Sequence, residues 1–431
     1  MDRDDARPDL APGAQSPMPN IFLSASRTAD APLDVIVLDA LRAIREHLGM
    51  EVAFVSQFRD GRRYFRFIDS ATENPPVTVG DSDPLEESYC QYVVDGRLPE
   101  LIRDASQVPV ALELPATTAL PVGAHLSVAL RLSDGRVYGT ICCFSSKPDP
   151  TLNERDLALL HLFANFVSQQ IERRLAADRA RQAMAERVAA VLDAGAFSIV
   201  YQPIFHLVEG RILGFEALTR FSAEPARSPD VWFGEAAEVG LGEQLEMAAV
   251  GKALTGLDRL PAGVYLSLNV SPTHLLSGAV ERALEGAPLE RIVLEVTEHV
   301  PIADYPRFVA ALEPLRRRGL RLAVDDAGAG YASFSHILQL GPDLIKLDVA
   351  LTRNIDADRT RRSLAAALIR FAEETGSRII AEGVETVAER DALLGLGVDM
   401  AQGYLLGRPV PIAEAAALLR PPYEGPEARK P

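Results

Sequence analysis

The chain is poor in cysteine, in basic residues and in long apolar runs. Three cysteines in 431 residues, Cys90, Cys142 and Cys143, cannot build a disulfide framework, and the adjacent pair has neither zinc-site nor redox C-x-x-C spacing. A reducing compartment fits. No stretch reaches the roughly 18 uncharged apolar residues of a membrane helix, so no membrane partner is expected. The opening Met-Asp-Arg-Asp-Asp lacks the basic and apolar regions of a signal peptide, which makes the cytoplasm the expected location. With 44 Lys and Arg against 60 Asp and Glu, the net charge is −16, a field that repels nucleic-acid polymers. A phosphorylated substrate therefore needs local help from metal ions or a few arginines. Neither G-x-G-x-x-G after a strand nor G-x-x-x-x-G-K-[ST] occurs, so dinucleotide-fold and P-loop readings lack their marks.

What is present is globular: 48% hydrophobic and 24% charged residues, with length for two or three domains. Residues 1–30 and 421–431 show no sustained period and read as tails. The block from Asp34 to Ser146 opens with an amphipathic helix (Val35, Leu38, Leu41, Ile44, Leu48) that Gly49 can close. Two hairpins follow, Glu51–Arg59 with Arg62–Ile68 around Asp60-Gly61, and His125–Leu132 with Val137–Phe144 around Asp134-Gly135. This order predicts an α+β domain with an antiparallel sheet. Cys142 and Cys143, adjacent on a strand, must face opposite sides. Cys90 reads as a buried structural cysteine, with a chromophore or thiol-sensing role as the alternative.

Thr151-Leu152-Asn153-Glu154 has the form of a capping box, and no Gly or Pro interrupts the chain from there to Gly195. That is about 60 Å of helix. Leu160, Phe163, Val167, Ile171 and Leu175 form a stripe that must be buried. A second copy of the helix is the simplest partner, which predicts a homodimer. The alternative is a helix packed on its own sheet with a break near Ala176.

The second block alternates strands with helix-like segments: Ile199–His206, Arg211–Thr219, Val264–Val270, Ile292–Thr297, Leu320–Val324, Leu344–Asp348, Arg378–Ala381 and Met400–Leu405. Eight such runs predict a closed parallel (β/α) barrel. Nearly every run ends in a polar group: Glu216, Asn269, Glu295 then Glu298, Asp325-Asp326, Lys346 then Asp348, Glu382 then Glu385, and Gln402. In a barrel these ends share the face that carries active sites. Any one of them could be a helix cap or a solvated loop residue; seven converging demand cations or raised pKa values. Hard oxygen ligands without paired histidines point to Mg²⁺ or Mn²⁺, and the adjacent Asp325-Asp326 suits two ions, one carboxylate bridging them. His206, His274, His299 and His336 read as ordinary barrel or loop residues, and Trp232 as packing.

The runs Tyr201-Gln202-Pro203-Ile204, Glu216-Ala217-Leu218-Thr219-Arg220, Asn269-Val270-Ser271-Pro272, Leu294-Glu295-Val296-Thr297-Glu298, Asp325-Asp326, Pro342-Asp343-Leu344-Ile345-Lys346-Leu347-Asp348, Ala381-Glu382-Gly383-Val384-Glu385-Thr386 and Gln402-Gly403-Tyr404 closely resemble the EAL family of cyclic di-GMP phosphodiesterases. The resemblance covers about residues 185–420. It implies a modified TIM barrel that hydrolyses cyclic di-GMP to linear pGpG with two Mg²⁺ or Mn²⁺ ions. By motif, Glu216, Asn269, Glu295 and Asp325 would hold the first ion, and Asp325, Asp326 and Glu382 the second. Lys346 and Glu382 would act on the attacking water, and Glu298 would anchor the loop after Asp326. Gln202, Leu218, Arg220, Asp348, Glu385 and Gln402 would line the substrate. The sequence departs from the family at Ala327 and Ala329, where an aromatic and a hydroxyl residue are usual. A catalytically impaired barrel that only binds the messenger is therefore the alternative, with a metal-dependent barrel enzyme on another substrate behind it. No Gly-Gly-Asp-Glu-Phe cyclase motif occurs.

Ser88-Tyr89-Cys90-Gln91, Leu101-Ile102-Arg103-Asp104 and Asp134-Gly135-Arg136-Val137-Tyr138-Gly139 resemble a GAF sensor domain, with an unidentified small ligand or none. The whole reads as a tail (1–30), an α+β GAF-like sensory domain (31–150), a connecting signalling helix (151–195), an α/β modified TIM barrel (196–420) and a tail (421–431).

Overall fold

A computed structural model describes residues 32–297, 302, 304–327 and 337–419. Both expected tails, together with Glu298, His299, Ala329 and His336, lie outside the described residues. The chain divides into two compact units, Met1–Ala180 and Arg181–Pro431.

In the first unit, strands β1 (Val52–Arg59), β2 (Arg62–Ser70), β3 (Ser82–Pro84), β4 (Leu101–Ile102), β5 (Ala124–Arg131) and β6 (Val137–Ser145) form one antiparallel sheet in the order β3-β2-β1-β6-β5-β4. Asp60 and Gly61 both adopt positive φ, 51° and 71°, which matches the turn to the strand twist. The helix Leu33–Leu48 ends on Gly49 at φ 62°. Its buried face is Val37, Ala40, Leu41, Ile44 and Leu48, and Val35, expected inside, is exposed. Cys143 joins the face under the helices and Cys142 the opposite face, as strand alternation requires.

The helix Glu154–Ala194 runs unbroken past Ala176. Its cap is Asn153 rather than Thr151. Asn153 Oδ1 accepts the Arg155 N–H at 3.0 Å, and Asp156 Oδ2 accepts the Asn153 N–H at 2.9 Å, a reciprocal box shifted by two residues. Thr151 instead donates its hydroxyl to Asp149 Oδ1 at 2.6 Å. Leu160, Phe163, Val167 and Ile171 are buried against the sheet face that holds Val55, Leu126, Val128 and Ile141. The stripe is covered within its own domain and does not call for a second copy. Val188 and Val191, farther along the helix, belong to a cluster with Trp232 and Leu245.

The second unit is a closed barrel of β7 (Phe197–His206), β8 (Arg211–Phe221), β9 (Tyr265–Asn269), β10 (Ile292–Thr297), β11 (Arg321–Ala327), β12 (Leu344–Leu347), β13 (Arg378–Ala381) and β14 (Met400–Ala401). The ladder runs from β14 back to β7, and a β14–β7 pairing closes it; β15 (Val410–Pro411) adds to the outer side of β7. Strands β8 to β14 are parallel, but β7 is antiparallel to both β8 and β14. The all-parallel expectation fails here for a simple reason. Only residues 207–210 separate β7 from β8, too few for a crossover helix, so the pair closes as a hairpin. Trp232 is fully buried and stacks on Phe221 with centroids 5.5 Å apart, the packing role expected.

Candidate active site

Period-two alternation builds this site. Leu266, Leu268, Leu294, Val296, Leu322, Val324, Ile345, Leu347, Ile379 and Ala381 face outward into the helix layer, and the residues between them face the barrel interior. The lower interior layer is apolar: Tyr265, Val293, Ala323, Leu344, Ile380 and Met400. Two residues further along the same strands come Ser267, Glu295, Asp325, Lys346, Glu382 and Gln402. The strands that fill the barrel floor with hydrocarbon therefore present polar groups at its other end. Glu216 on β8 joins them beside Asn269, the last residue of β9.

At the centre lies the Lys346 ammonium, fully buried. Its Nζ is 2.8 Å from Glu382 Oε1, 2.9 Å from Glu295 Oε2, 3.2 Å from Asp325 Oδ1 and 3.6 Å from Glu216 Oε2. Burial alone would favour its neutral form, but Asp325, Glu216, Glu295 and Glu382 hold its pKa well above the ordinary lysine value. Burial also penalises Glu216; Lys346 and the amides of Gln402 and Asn269 outweigh this and keep its pKa low. Asn269 Nδ2 donates to Glu216 Oε1 at 3.0 Å, and Gln402 Nε2 donates to the other oxygen. Glu295 and Glu382 go the other way. Burial and neighbouring acids push Glu295 well above the carboxylate range despite Lys346 and a 2.5 Å bond from Ser267 Oγ, and burial pushes Glu382 up to about 8. Four carboxylates share one ammonium, and the surplus is held down by protons. A site that retains protons this way is one that divalent cations can claim instead.

The oxygens fall into two overlapping sets, Glu216 with Glu295 and Asp325, and Asp325 with Asp326 and Glu382, each set having ligand atoms within 4.8 Å of one another. These are hard oxygen donors, as Mg²⁺ or Mn²⁺ requires. In a regular strand Asp325 and Asp326 would face opposite sides. Here the β11–β12 register shifts between Val324 and Ala327, and Asp326 takes φ 58°, a conformation that Asp tolerates better than most residues. The bulge brings both carboxylates to one rim. Gly383, at φ 64°, turns the chain after Glu382 where a Cβ would lie 2.4 Å from Val349 Cγ2.

A cavity of 380 Å³ opens beside the acids and is lined by Leu218, Arg220, Phe233, Asn269, Asp325 and Asp326, among others. Arg220 is exposed and has no carboxylate partner among the described residues. Gln202 sits across the ladder from Glu216 and accepts a 3.4 Å bond from Gln402 Nε2. Two expected substrate residues stand elsewhere. Asp348 caps the helix Val349–Thr352 through Ala350 N–H at 2.7 Å, and Glu385 is exposed and bonded to Arg353 at 2.7 Å. Neither lines the cavity. Glu298 lies outside the described residues. Ala327 is wholly buried at the end of β11.

Sequence reasoning missed Ser267 and Glu246. Ser267 shares a strand face with Asn269, which the alternation could have revealed. Glu246 accepts Ser271 N–H at 2.9 Å and Ser271 Oγ at 2.6 Å, steadying the turn after Asn269; it comes from a helix far away in sequence and carries no local signal.

The first unit holds its own buried charge. Arg63 Nη1 lies 3.1 Å from Cys90 Sγ, its other nitrogens bind Asp83, and its guanidinium covers the Phe65 ring at 4.7 Å. Cys90 Sγ is 3.5 Å from Cys142 Sγ. Burial favours the Cys90 thiol, but hydrogen bonds and Arg63 bring it down to about 5, while burial pushes Cys142 up.

Comparison with known proteins decides the family. The family model of the EAL domain matches residues 180–409, more than half of the sequence. This chain belongs to the EAL-domain family. A GAF domain matches residues 30–172. The EAL region is 33% identical over 261 residues to an uncharacterized protein, y4lL, of Sinorhizobium fredii, spanning 58% of this chain and 31% of that protein. It is 31% identical over 249 residues to the cyclic di-GMP phosphodiesterase NbdA of Pseudomonas aeruginosa, spanning 55% of this chain and 32% of NbdA. The chain thus spans about a third of the length of these relatives. Among solved structures, the PaMucR phosphodiesterase in complex with c-di-GMP matches at 27% identity and a TM-score of 0.50, over 54% of this chain and 99% of that one. The EAL enzyme Bd1971 matches over 86% of this chain and 93% of its own, with a TM-score of 0.54 at 18% identity, a likeness of fold.

Proposed function

We propose that the barrel hydrolyses cyclic di-GMP to linear pGpG with two divalent cations, Mg²⁺ or Mn²⁺. The observation that carries this reading is the pair of overlapping carboxylate sets sharing Asp325, set around Lys346 beside a cavity lined by Arg220. Glu216, Asn269, Glu295 and Asp325 would hold one ion, and Asp325, Asp326 and Glu382 the other. The ions would neutralise the phosphodiester and acidify an attacking water. Lys346 would orient that water and Glu382 would take its proton as the water oxygen bonds to phosphorus and the P–O3′ bond breaks, the departing 3′ oxygen gaining a proton to leave linear pGpG. Arg220 holds a phosphate oxygen, Leu218 packs on the substrate, and Gln202 and Gln402 fix the first carboxylate and line the floor. By motif Glu298 would anchor the loop after Asp326, and Asp348 and Glu385 act on substrate only if they leave their present partners. Relatives named cyclic di-GMP phosphodiesterases, and a related phosphodiesterase solved with c-di-GMP, support the choice of substrate.

The experiment is to incubate pure protein with cyclic di-GMP and Mg²⁺, with EDTA as control, and to follow pGpG. Glu382→Gln should abolish product while some substrate binding persists; normal turnover in that variant ends its assigned role. A second reading, a receptor that binds without turnover, is favoured by Ala327 in place of an aromatic residue, and binding without product would establish it. The GAF domain is assigned a sensory role, with the helix Glu154–Ala194 carrying the signal in a cytoplasmic homodimer. Light scattering that finds a monomer at micromolar protein removes the dimer. No helix among the described residues is long and apolar enough to cross a membrane.

A further inference from the structure

The other mouth of the barrel gathers basic residues. Arg211 opens β8, Tyr265 opens β9, Arg321 opens β11, Arg378 opens β13, and Arg291 immediately precedes β10. The starts of parallel strands share one face of a barrel, opposite the face of their ends. All five residues line one cavity of 220 Å³, with Glu290 as its carboxylate. Four guanidinium groups around one small cavity stand out in a chain of net charge −16.

Some of these arginines have structural partners. Arg291 donates to the carbonyls of Val264, Leu257, Leu260 and Pro261 at 3.0 to 3.2 Å. Arg378 binds Asp399 at 2.8 Å and Arg211 binds Glu209. Arg321 differs. It lies over the Tyr265 ring, 4.5 Å from the centroid, and has neither a hydrogen bond nor a carboxylate among the described residues. Tyr265 is only 7% exposed, and its hydroxyl has no hydrogen-bond partner. Its position is enforced from below, because the ring occupies the space left by Gly214, where a Cβ would come within 2.6 Å of it. That hydroxyl has no surface open to the cavity, so the ring serves as the platform on which Arg321 lies. Guanidinium forks match phosphate and carboxylate oxygens.

We propose that this mouth is an oxyanion site for a small phosphate-bearing ligand, either inorganic phosphate or the terminal phosphate of a monoester. Arg321 is the free donor, seated on the Tyr265 ring, and Arg211 and Arg378 line the same cavity. The site is independent of the chemistry assigned to the acidic mouth.

The test uses the full chain in EDTA, which keeps phosphate from binding through metal ions at the acidic mouth. Inorganic phosphate and a nucleoside 5′-monophosphate are each titrated by calorimetry and by thermal unfolding, against chloride at equal ionic strength. One bound phosphate group per chain and a rise in Tm are expected, with the tighter of the two probes identifying the source. Arg321→Gln should weaken binding about tenfold, the factor for one charge-assisted hydrogen bond. Tyr265→Phe, which keeps the ring under Arg321, should bind as the wild type does. Arg220→Gln, at the opposite mouth, should leave it unchanged. The proposal is overturned if neither probe binds the wild type at millimolar concentration, if Arg321→Gln binds as the wild type does, or if only Arg220→Gln loses binding.

Discussion

Among the described residues, each unit of this chain buries one long cation, and the two environments differ. Arg63 in the GAF domain lies over the Phe65 ring, with Phe54 beside it, and meets Cys90 and Asp83. A guanidinium facing one ionised thiol and one carboxylate leaves a surplus of one negative charge, on a carboxylate that water reaches. Lys346 in the barrel meets four carboxylates within 3.6 Å, a surplus of three negative charges if all are ionised. The first arrangement can be complete as it stands. The second is stable only with extra protons or extra cations, and that imbalance is what makes it a site rather than a strut.

Removing each cation should separate these roles. Lys346→Met leaves four buried acids without a counter-charge, and the barrel transition in EDTA should lose about 3 to 5 kcal/mol. Added Mg²⁺ or lower pH should restore much of it, because either supplies positive charge. Denaturant unfolding with and without Mg²⁺ measures this, and a loss that Mg²⁺ leaves untouched would break the contrast. Arg63→Met should cost less, about 2 kcal/mol, because Cys90 can take up a proton and become an ordinary buried thiol. The stability should be indifferent to Mg²⁺, and the thiolate absorbance near pH 7 should disappear. Persistence of that absorbance would show that Arg63 is not what ionises Cys90.

The acidic half of this contrast was legible in the sequence, and the limits of that reading have physical causes. Polar residues closing apolar strands, Glu295, Asp325 and Glu382 among them, were conspicuous because burial of such groups needs a reason. Asp60-Gly61 and Asp134-Gly135 marked hairpins because only a few residue types accept those turns. By contrast, β7 looked like any other barrel strand, since direction depends on the length of the following turn rather than on strand composition. Thr151 and Asn153 are both good caps, and the choice rested on where Asp156 could reach. Arg63 and His125 gave no sign of burial in the sequence, because the sheet's second face is covered by chain segments far away in sequence. Asp348 and Glu385 carried the right chemistry, but local partners, a helix N-terminus and Arg353, take up their oxygens.

The GAF domain's buried charge should also show in its acid response. His125 is fully buried beside Tyr89, with ring centroids 4.9 Å apart, and burial and the Arg63 charge bring its pKa down from 6.5 to about 3. Above pH 6.5 it is neutral whether folded or unfolded. Between about 6.5 and 3 the unfolded chain holds a proton there that the folded domain refuses, so stability falls as pH falls, by up to about 1.4 kcal/mol per unit. His125→Phe should flatten the stability profile by one proton in that window, and an unchanged slope would mean the imidazole titrates normally.

The smallest effect expected lies back in the barrel. Ser267→Ala removes the hydroxyl that donates to Glu295 Oε1 while leaving Lys346 on the other oxygen. The lost bond should cost about 1 to 2 kcal/mol in EDTA. With Mg²⁺ saturating, an ion drawing on the same carboxylate takes over much of the hydroxyl's stabilising role, and the cost should shrink. Ser127→Ala, beside Cys142 in the GAF domain, provides the counterpart, because nothing in that cluster calls for a divalent ion. Its cost should be the same with and without Mg²⁺. Equal Mg²⁺ responses from the two serine variants would mean that surplus negative charge is not what distinguishes the barrel cluster, and the two buried cations would then be doing the same job.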